Sequence, residues 1–340
     1  MRKPVALLMS SLLVGCTIEN DPHVNQEKDT FFQEPPADVD ILWVVDNSPS
    51  MAQEQVEVGH RFAEFIGHLE DTNIDFHIGV ITTDVDDDND LAGHLLGDPR
   101  VIDSSIEDFE MVFNDRVQVG VDGSDMERGL EAAYMALTEP MISDANAGFL
   151  RRDAVLSIIF VSDENDCSDR GGFPEEATGM ACYDQPEKLV PVREFVNDFR
   201  ALKADGSDVI TSAIVGPDIQ ENCEDSVPGV RYLSVAQNTG GIEGNICDED
   251  FSDIMDKMGL SVSGVRASFE LEAVPVLDTM EVWVGDAEEE DTSLWDLIPQ
   301  DDADGWTYDD ATNYITFNGD SVPPRGTVIT VYYDFGGAVE

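Results

Sequence analysis

Continuous apolar runs alternating with amphipathic stretches organise most of this chain. Ile41-Leu42-Trp43-Val44-Val45 is apolar at every position, as expected of a strand covered on both faces. Residues 51–69 follow, with Val56, Phe62, Phe65, Ile66 and Leu69 along one side of a helix. Phe76-His77-Ile78-Gly79-Val80-Ile81 predicts a second strand, 155–161 a third and 209–215 a fourth. Helices are predicted over 105–117, 125–138, 187–203 and 250–260. The alternation predicts an α/β domain over 37–262, a doubly wound, mostly parallel sheet with helices on both faces. In such sheets ligands sit at the carboxyl ends of the strands.

After residue 263 the pattern shortens. Strand-like stretches at 267–273, 279–284, 314–317 and 328–333 are separated by turn signals such as Asn318-Gly319 and Pro323-Pro324. Residues 265–340 therefore read as a small all-β sandwich-like domain. In pattern it resembles the Ig-like modules appended to bacterial surface proteins.

The amino-terminal end reads differently. Arg2 and Lys3 precede a short apolar segment, 5–14, too short for a permanent membrane span. It runs into Leu13-Val14-Gly15-Cys16, which resembles a bacterial lipobox. That resemblance implies a signal peptide over 1–15, cleavage before Cys16, and acylation of its thiol. Thr17, where an Asp would favour the inner membrane, then implies the outer membrane. The alternative is an ordinary signal peptide with a chance cysteine. Residues 16–36, polar and acidic and ending in Glu34-Pro35-Pro36, read as a tether. With no later run long enough to span a bilayer, membrane attachment is expected through the lipid alone.

Charge changes the picture next. The 340 residues include 72 acidic and 18 basic side chains, a formal net charge of −54. Such a surface repels nucleic acid, which excludes it as a partner class, and repels anionic headgroups. Setting Cys16 aside leaves Cys167, Cys182, Cys223 and Cys247, an even number that suggests two disulfides in an exported chain. Of the three possible pairings, Cys167–Cys182 and Cys223–Cys247 close the shortest loops. A zinc site is the alternative, without a CxxC spacing or a nearby His to favour it.

The candidate chemistry lies in Asp46-Asn47-Ser48-Pro49-Ser50, an Asp-x-Ser-x-Ser pattern where the first buried strand ends and the first helix begins. Gly123-Ser124-Asp125-Met126-Glu127 opens another predicted helix with a hydroxyl, and Ile158-Ile159-Phe160-Val161-Ser162-Asp163 is a buried strand ending in a carboxylate. In this order the three segments resemble the von Willebrand factor type A domain and its metal-ion-dependent adhesion site, over roughly residues 37–262. The resemblance implies a metal site of Asp46, Ser48, Ser50, Ser124 and Asp163. Hydroxyls would bind the ion directly and carboxylates largely through water. The family usually has Thr at the position of Ser124, so the ligand is kept but a rotamer-restraining methyl is lost. Mg2+ suits such a set, since it favours octahedral oxygens and retains water; Mn2+ and Ca2+ are alternatives. Neutral hydroxyl ligands would leave the ion open to an acidic side chain of a protein partner.

Helix capping is the competing explanation, since Ser50-x-x-Gln53 and Ser124-x-x-Glu127 both fit capping boxes. Asp84, ending the second strand, can face the same rim. The run 86–90 and Asp302-Ala303-Asp304-Gly305 lack the Glu that closes an EF-hand loop. No nucleophile elbow, HExxH or P-loop is present. His23, His60, His68, His77 and His94 pair with no evident nucleophile. The expectation is a lipid-anchored binding or adhesion protein rather than an enzyme. The alternatives are an envelope-assembly scaffold with a vestigial site and, behind it, a metal-assisted hydrolase using Asp163 or Asp166 as base.

Overall fold

A computed structural model describes residues 26–33, 38–71, 74–85, 92–174, 177–204, 209–219, 223, 226–264, 267–287, 289, 291–310, 312–324 and 326–335. Cys16, the expected signal peptide, His23 and the acidic run 86–90 lie outside these residues. The chain divides into two units, with boundaries between Phe32 and Gln33 and between Arg266 and Ala267.

The larger unit is built on a five-stranded sheet of β2 (Val39–Val45), β3 (Phe76–Thr82), β4 (Val155–Ser162), β5 (Val209–Val215) and β6 (Glu243–Asn245). Their order is β3-β2-β4-β5-β6, and each pairing is parallel. Every residue of β2 is buried, which is why the strand reads as an unbroken apolar run. Trp43 and Ile41 lie in one core with α1 (Ala52–His60), α2 (Phe62–Asp71), α3 (Phe109–Val117) and α8 (Ser252–Val262). Leu42 and Val44 face the opposite core, with α4 (Gly129–Leu137), α6 (Val192–Arg200) and α7 (Val230–Thr239), while the short α5 (Met180–Asp184) carries Cys182. Helices thus cover both faces, as the alternation predicts. On the first face Phe62 stacks on Phe113 at 3.8 Å, and Trp43 meets Phe65 and Phe113 edge-on at 5.3 Å each. Such pairs contribute about 0.5–1.5 kcal/mol each beyond their buried area.

The expected helix over 51–69 is two helices, α1 and α2, joined at Arg61. The Arg61 amide still bonds to the Glu57 carbonyl at 3.0 Å, so the chain bends rather than stops. The helix expected over 187–203 is shorter because Pro191 immediately precedes α6 and lacks an amide hydrogen. α7 carries Tyr232, Leu233, Val235 and Ala236 into the core.

The smaller unit holds two antiparallel sheets. One is β1 (Gln26–Phe32), β12 (Thr327–Asp334), β8 (Glu281–Asp286) and β9 (Asp296–Ile298), in that order. The other is β10 (Gly305–Asp309), β11 (Tyr314–Asn318) and β7 (Ser268–Glu270). They share a core of Phe269, Val282, Trp306, Ile315, Phe317, Ile329, Val331 and Tyr333, as a sandwich-like domain requires.

One boundary is corrected. The tether expected over 16–36 includes β1, an edge strand paired in register with β12. Its sequence hides a strand because the inward face begins with an acidic pair. Glu27, Asp29 and Phe31 oppose Tyr333, Val331 and Ile329, while Lys28, Thr30 and Phe32 are exposed.

Candidate metal centre

β2 and β4 are adjacent, so their carboxyl ends bring Asp46 and Asp163 to one rim. Asp46 is fully buried. Its Oδ1 accepts the Ser48 amide at 2.7 Å and its Oδ2 accepts the Ser162 hydroxyl at 2.6 Å. The backbone is held as well: Gln55 Nε2 donates to the carbonyls of Asp46 and Gly120, each at 2.8 Å. The Ser48 and Ser50 hydroxyls stand 3.2 Å apart. The Ser50 side chain adjoins the Asp163 carboxylate at the edge of one cavity. Asp163 Oδ1 is buried with no hydrogen-bond partner.

The capping explanation fails on this geometry. α1 begins after Met51 and α4 after Arg128, and neither helix start has a side-chain cap hydrogen bond. The Ser48 and Ser50 hydroxyls face one another instead. Ser124 lies in the loop before α4, shorter than the helix expected over 125–138, with its Oγ accepting the Met126 amide at 3.0 Å. Asp84 joins the loops: its Oδ1 accepts the Ser124 amide and its Oδ2 the Asn47 side chain, both at 3.0 Å. The Gly123 amide donates to the Asn47 carbonyl at 2.8 Å. Asp46, Ser48, Ser50 and Asp163 are therefore in one contact network. Ser124 is docked against it through Asn47 and Asp84.

Charge separates this cluster from the other buried carboxylates. Asp40, at the amino end of β2, is buried but receives Arg151 Nε at 2.8 Å and its amide at 2.7 Å. Asp166 is buried but receives Arg231 Nε at 2.9 Å, with further bonds from Leu130 and Ser168. That commitment removes Asp166 as a candidate base. Asp46 has only neutral donors, and burial pushes its carboxyl from 3.8 to about 6, with the Asp163 charge adding to the rise. Burial also raises Asp163. Glu127, whose Oε2 accepts the Thr83 hydroxyl, is raised by burial and then by the nearby Asp46. Glu164 is raised to about 7 by burial and by Asp46 and Asp163. Burial is the chief cause of all four rises, and none of the four forms an ion pair with a described residue. Concentrated, uncompensated negative charge, paired hydroxyls and an orphaned carboxylate oxygen are what a hard divalent cation would complete.

Gln55 and Glu164 do not stand out in the sequence, and Ser162 and Glu127 do so only as a strand end and a capping-box partner. They reach the site through strand pairing and helix docking.

A cavity of about 590 Å3 adjoins the cluster, lined by Ser50, Asp163, Glu54, Asp248, Glu249 and the Cys223–Cys247 pair among others. Both expected disulfides are formed, Cys167–Cys182 and Cys223–Cys247. The first closes the loop that leaves Asp163, where the Cys167 amide donates to the Glu127 carbonyl at 2.6 Å. No described helix is long and apolar enough to cross a membrane.

No protein-family model matches this chain, and no curated protein is similar to it. Among solved structures it is similar to the pilus adhesin SpaC from Lactobacillus rhamnosus GG, at 9% identity and a TM-score of 0.41 over 91% of this chain and 41% of that one. It is also similar to the pilus adhesin RrgA from Streptococcus pneumoniae, at 10% identity and a TM-score of 0.34 over 92% and 59%. The human COPII-coat protein Sec24c gives 10% identity and a TM-score of 0.38 over 91% and 42%. The chain spans about two fifths of the length of SpaC. Likeness this loose leaves the function to be read from the site itself.

Proposed function

We propose that the larger unit is a von Willebrand factor type A-like binding domain that engages a protein partner through a divalent cation. Asp46, Ser48, Ser50, Ser124 and Asp163 hold the ion, preferentially Mg2+, directly or through water. The partner completes the coordination with a carboxylate. Acylation of Cys16 anchors the chain to the outer membrane. The observation that carries this reading is the contrast among buried carboxylates: Asp40 and Asp166 are neutralised by arginine, whereas Asp46 and Asp163 are arranged around hydroxyls with no ion-pair partner among the described residues.

The adjoining cavity narrows the partner. Glu54 Oε2 is buried there without a hydrogen-bond partner, and Asp248 and Glu249 line the same space. A segment that offers its carboxylate to the metal is favoured when a neighbouring basic side chain enters this cavity. The test is capture from envelope extract by wild type and Asp46→Ala, with Mg2+ and with EDTA. Capture only by wild type in Mg2+ supports the reading, and capture that persists in EDTA sinks it. Asp248→Asn with Glu249→Gln should weaken capture while leaving Mg2+ affinity unchanged.

A further inference from the structure

A second group of carboxylates lies in the smaller unit. Glu27 and Asp29 share the face of β1 that opposes Tyr333 and Val331 on β12. The Glu272 carboxylate, from the segment after β7, joins them, and one oxygen from each residue lies within 4.8 Å of the other two. Asp29 is only 4% exposed. Its Oδ2 accepts the Tyr333 hydroxyl at 2.7 Å and the Glu272 amide at 2.9 Å. The Tyr333 hydroxyl in turn accepts the Ala273 amide at 3.1 Å. Asp29 Oδ1 is buried and has no hydrogen-bond partner.

These bonds already hold β1, β12 and the 271–273 segment together, but they use only neutral donors. Three carboxylates at this separation repel, and burial of one strengthens the repulsion. An acidic surface cluster needs no ligand; a buried carboxylate with an unpaired oxygen is completed by one. We propose that Glu27, Asp29 and Glu272 bind Ca2+, which fastens the first strand to the β unit. All ligands are oxygens and all are carboxylates, able to bind singly or in pairs, which suits an ion taking six to eight oxygens in flexible geometry. Among the described residues, no nitrogen or sulfur ligand joins the triad to favour zinc or copper. β1 is an edge strand bonded to β12 alone among the strands. Ca2+ therefore determines whether its first half stays paired.

The site shares no residue with the Asp46 centre, so the two are separable. The experiment uses the full chain carrying Asp46→Ala, titrated with Ca2+ by calorimetry and followed by hydrogen exchange of Gln26–Phe32. One Ca2+ per chain is expected, with exchange in β1 slowed about tenfold at a concentration tenfold above the dissociation constant. Glu27→Gln and Glu272→Gln, at half-buried and exposed positions, should fold by circular dichroism and lose both effects. Absence of calcium heat and protection, or their persistence in both variants, overturns the proposal. Mg2+ binding by wild type reports separately on the Asp46 centre.

Discussion

Asp46→Asn should stabilise the larger unit in the absence of metal and forfeit the stabilisation that metal gives wild type. The Asp46 carboxyl titrates near 3.8 in ordinary surroundings and at about 6 in this fold, chiefly through burial. A raised acid pKa means the folded chain holds its proton more tightly than the unfolded chain. Stability therefore falls as pH rises from about 4 through about 6, and the full penalty stands at pH 7.5. A shift of about two pH units corresponds to about 3 kcal/mol. Asparagine removes the charge and keeps the bonding: its Oδ1 accepts the Ser48 amide, and the Ser162 hydroxyl turns to accept from Nδ2. In EDTA at pH 7.5 the variant should be more stable than wild type by about 1–3 kcal/mol, a difference that vanishes below about pH 4. With Mg2+ at a hundredfold its dissociation constant, wild type should gain about 2.7 kcal/mol and the variant nothing. Urea unfolding gives the free energies, and hydrogen exchange in Val39–Val45 assigns them to this unit. A variant less stable than wild type in EDTA, or one that gains equally from Mg2+, would refute the reasoning.

Other outcomes follow from the same geometry. A Cβ on Gly123 would come within 2.4 Å of the Asn47 side chain, so Gly123→Ala should break the Asn47–Asp84 bond and weaken Mg2+ binding about tenfold by calorimetry. Arg231→Met strands the buried Asp166 and should cost about 3–5 kcal/mol in urea unfolding. Replacing Cys167 and Cys182 by Ser opens a 15-residue loop, and should cost about 3 kcal/mol while leaving far-UV circular dichroism nearly unchanged. Because that loop leaves Asp163, Mg2+ affinity should fall as well.

The central strands are legible in the sequence because both faces of β2, β4 and β5 are buried, leaving continuous apolar runs. β1 is not, since an edge strand with Asp29 turned inward has the composition of a tether. α7 escapes notice because its core residues follow one another closely and its exposed side carries little charge. At the site, Asp46, Ser48, Ser50 and Asp163 are legible because strand-end hydroxyls and carboxylates recur in order. What the sequence leaves out is which buried acids lack a counterion. Asp40, Asp46 and Asp166 are alike as letters, and Arg151 and Arg231 reach two of them from positions 111 and 65 residues away. Ser124 is the least settled of the five by position: the structure fixes its backbone through Asp84, and its hydroxyl faces the Met126 amide.

The central claim is that one ion sits among these residues, and Mn2+ in crystals of the full chain tests it most directly. Its anomalous scattering locates the metal without reference to affinity. The account predicts one strong peak about 2.0–2.3 Å from the hydroxyl oxygens of Ser48, Ser50 and Ser124, with Asp46 and Asp163 reached directly or through one water. The peak should be absent from Asp163→Ala crystals. A metal bound elsewhere in the larger unit, or a peak undiminished in that variant, would contradict the account.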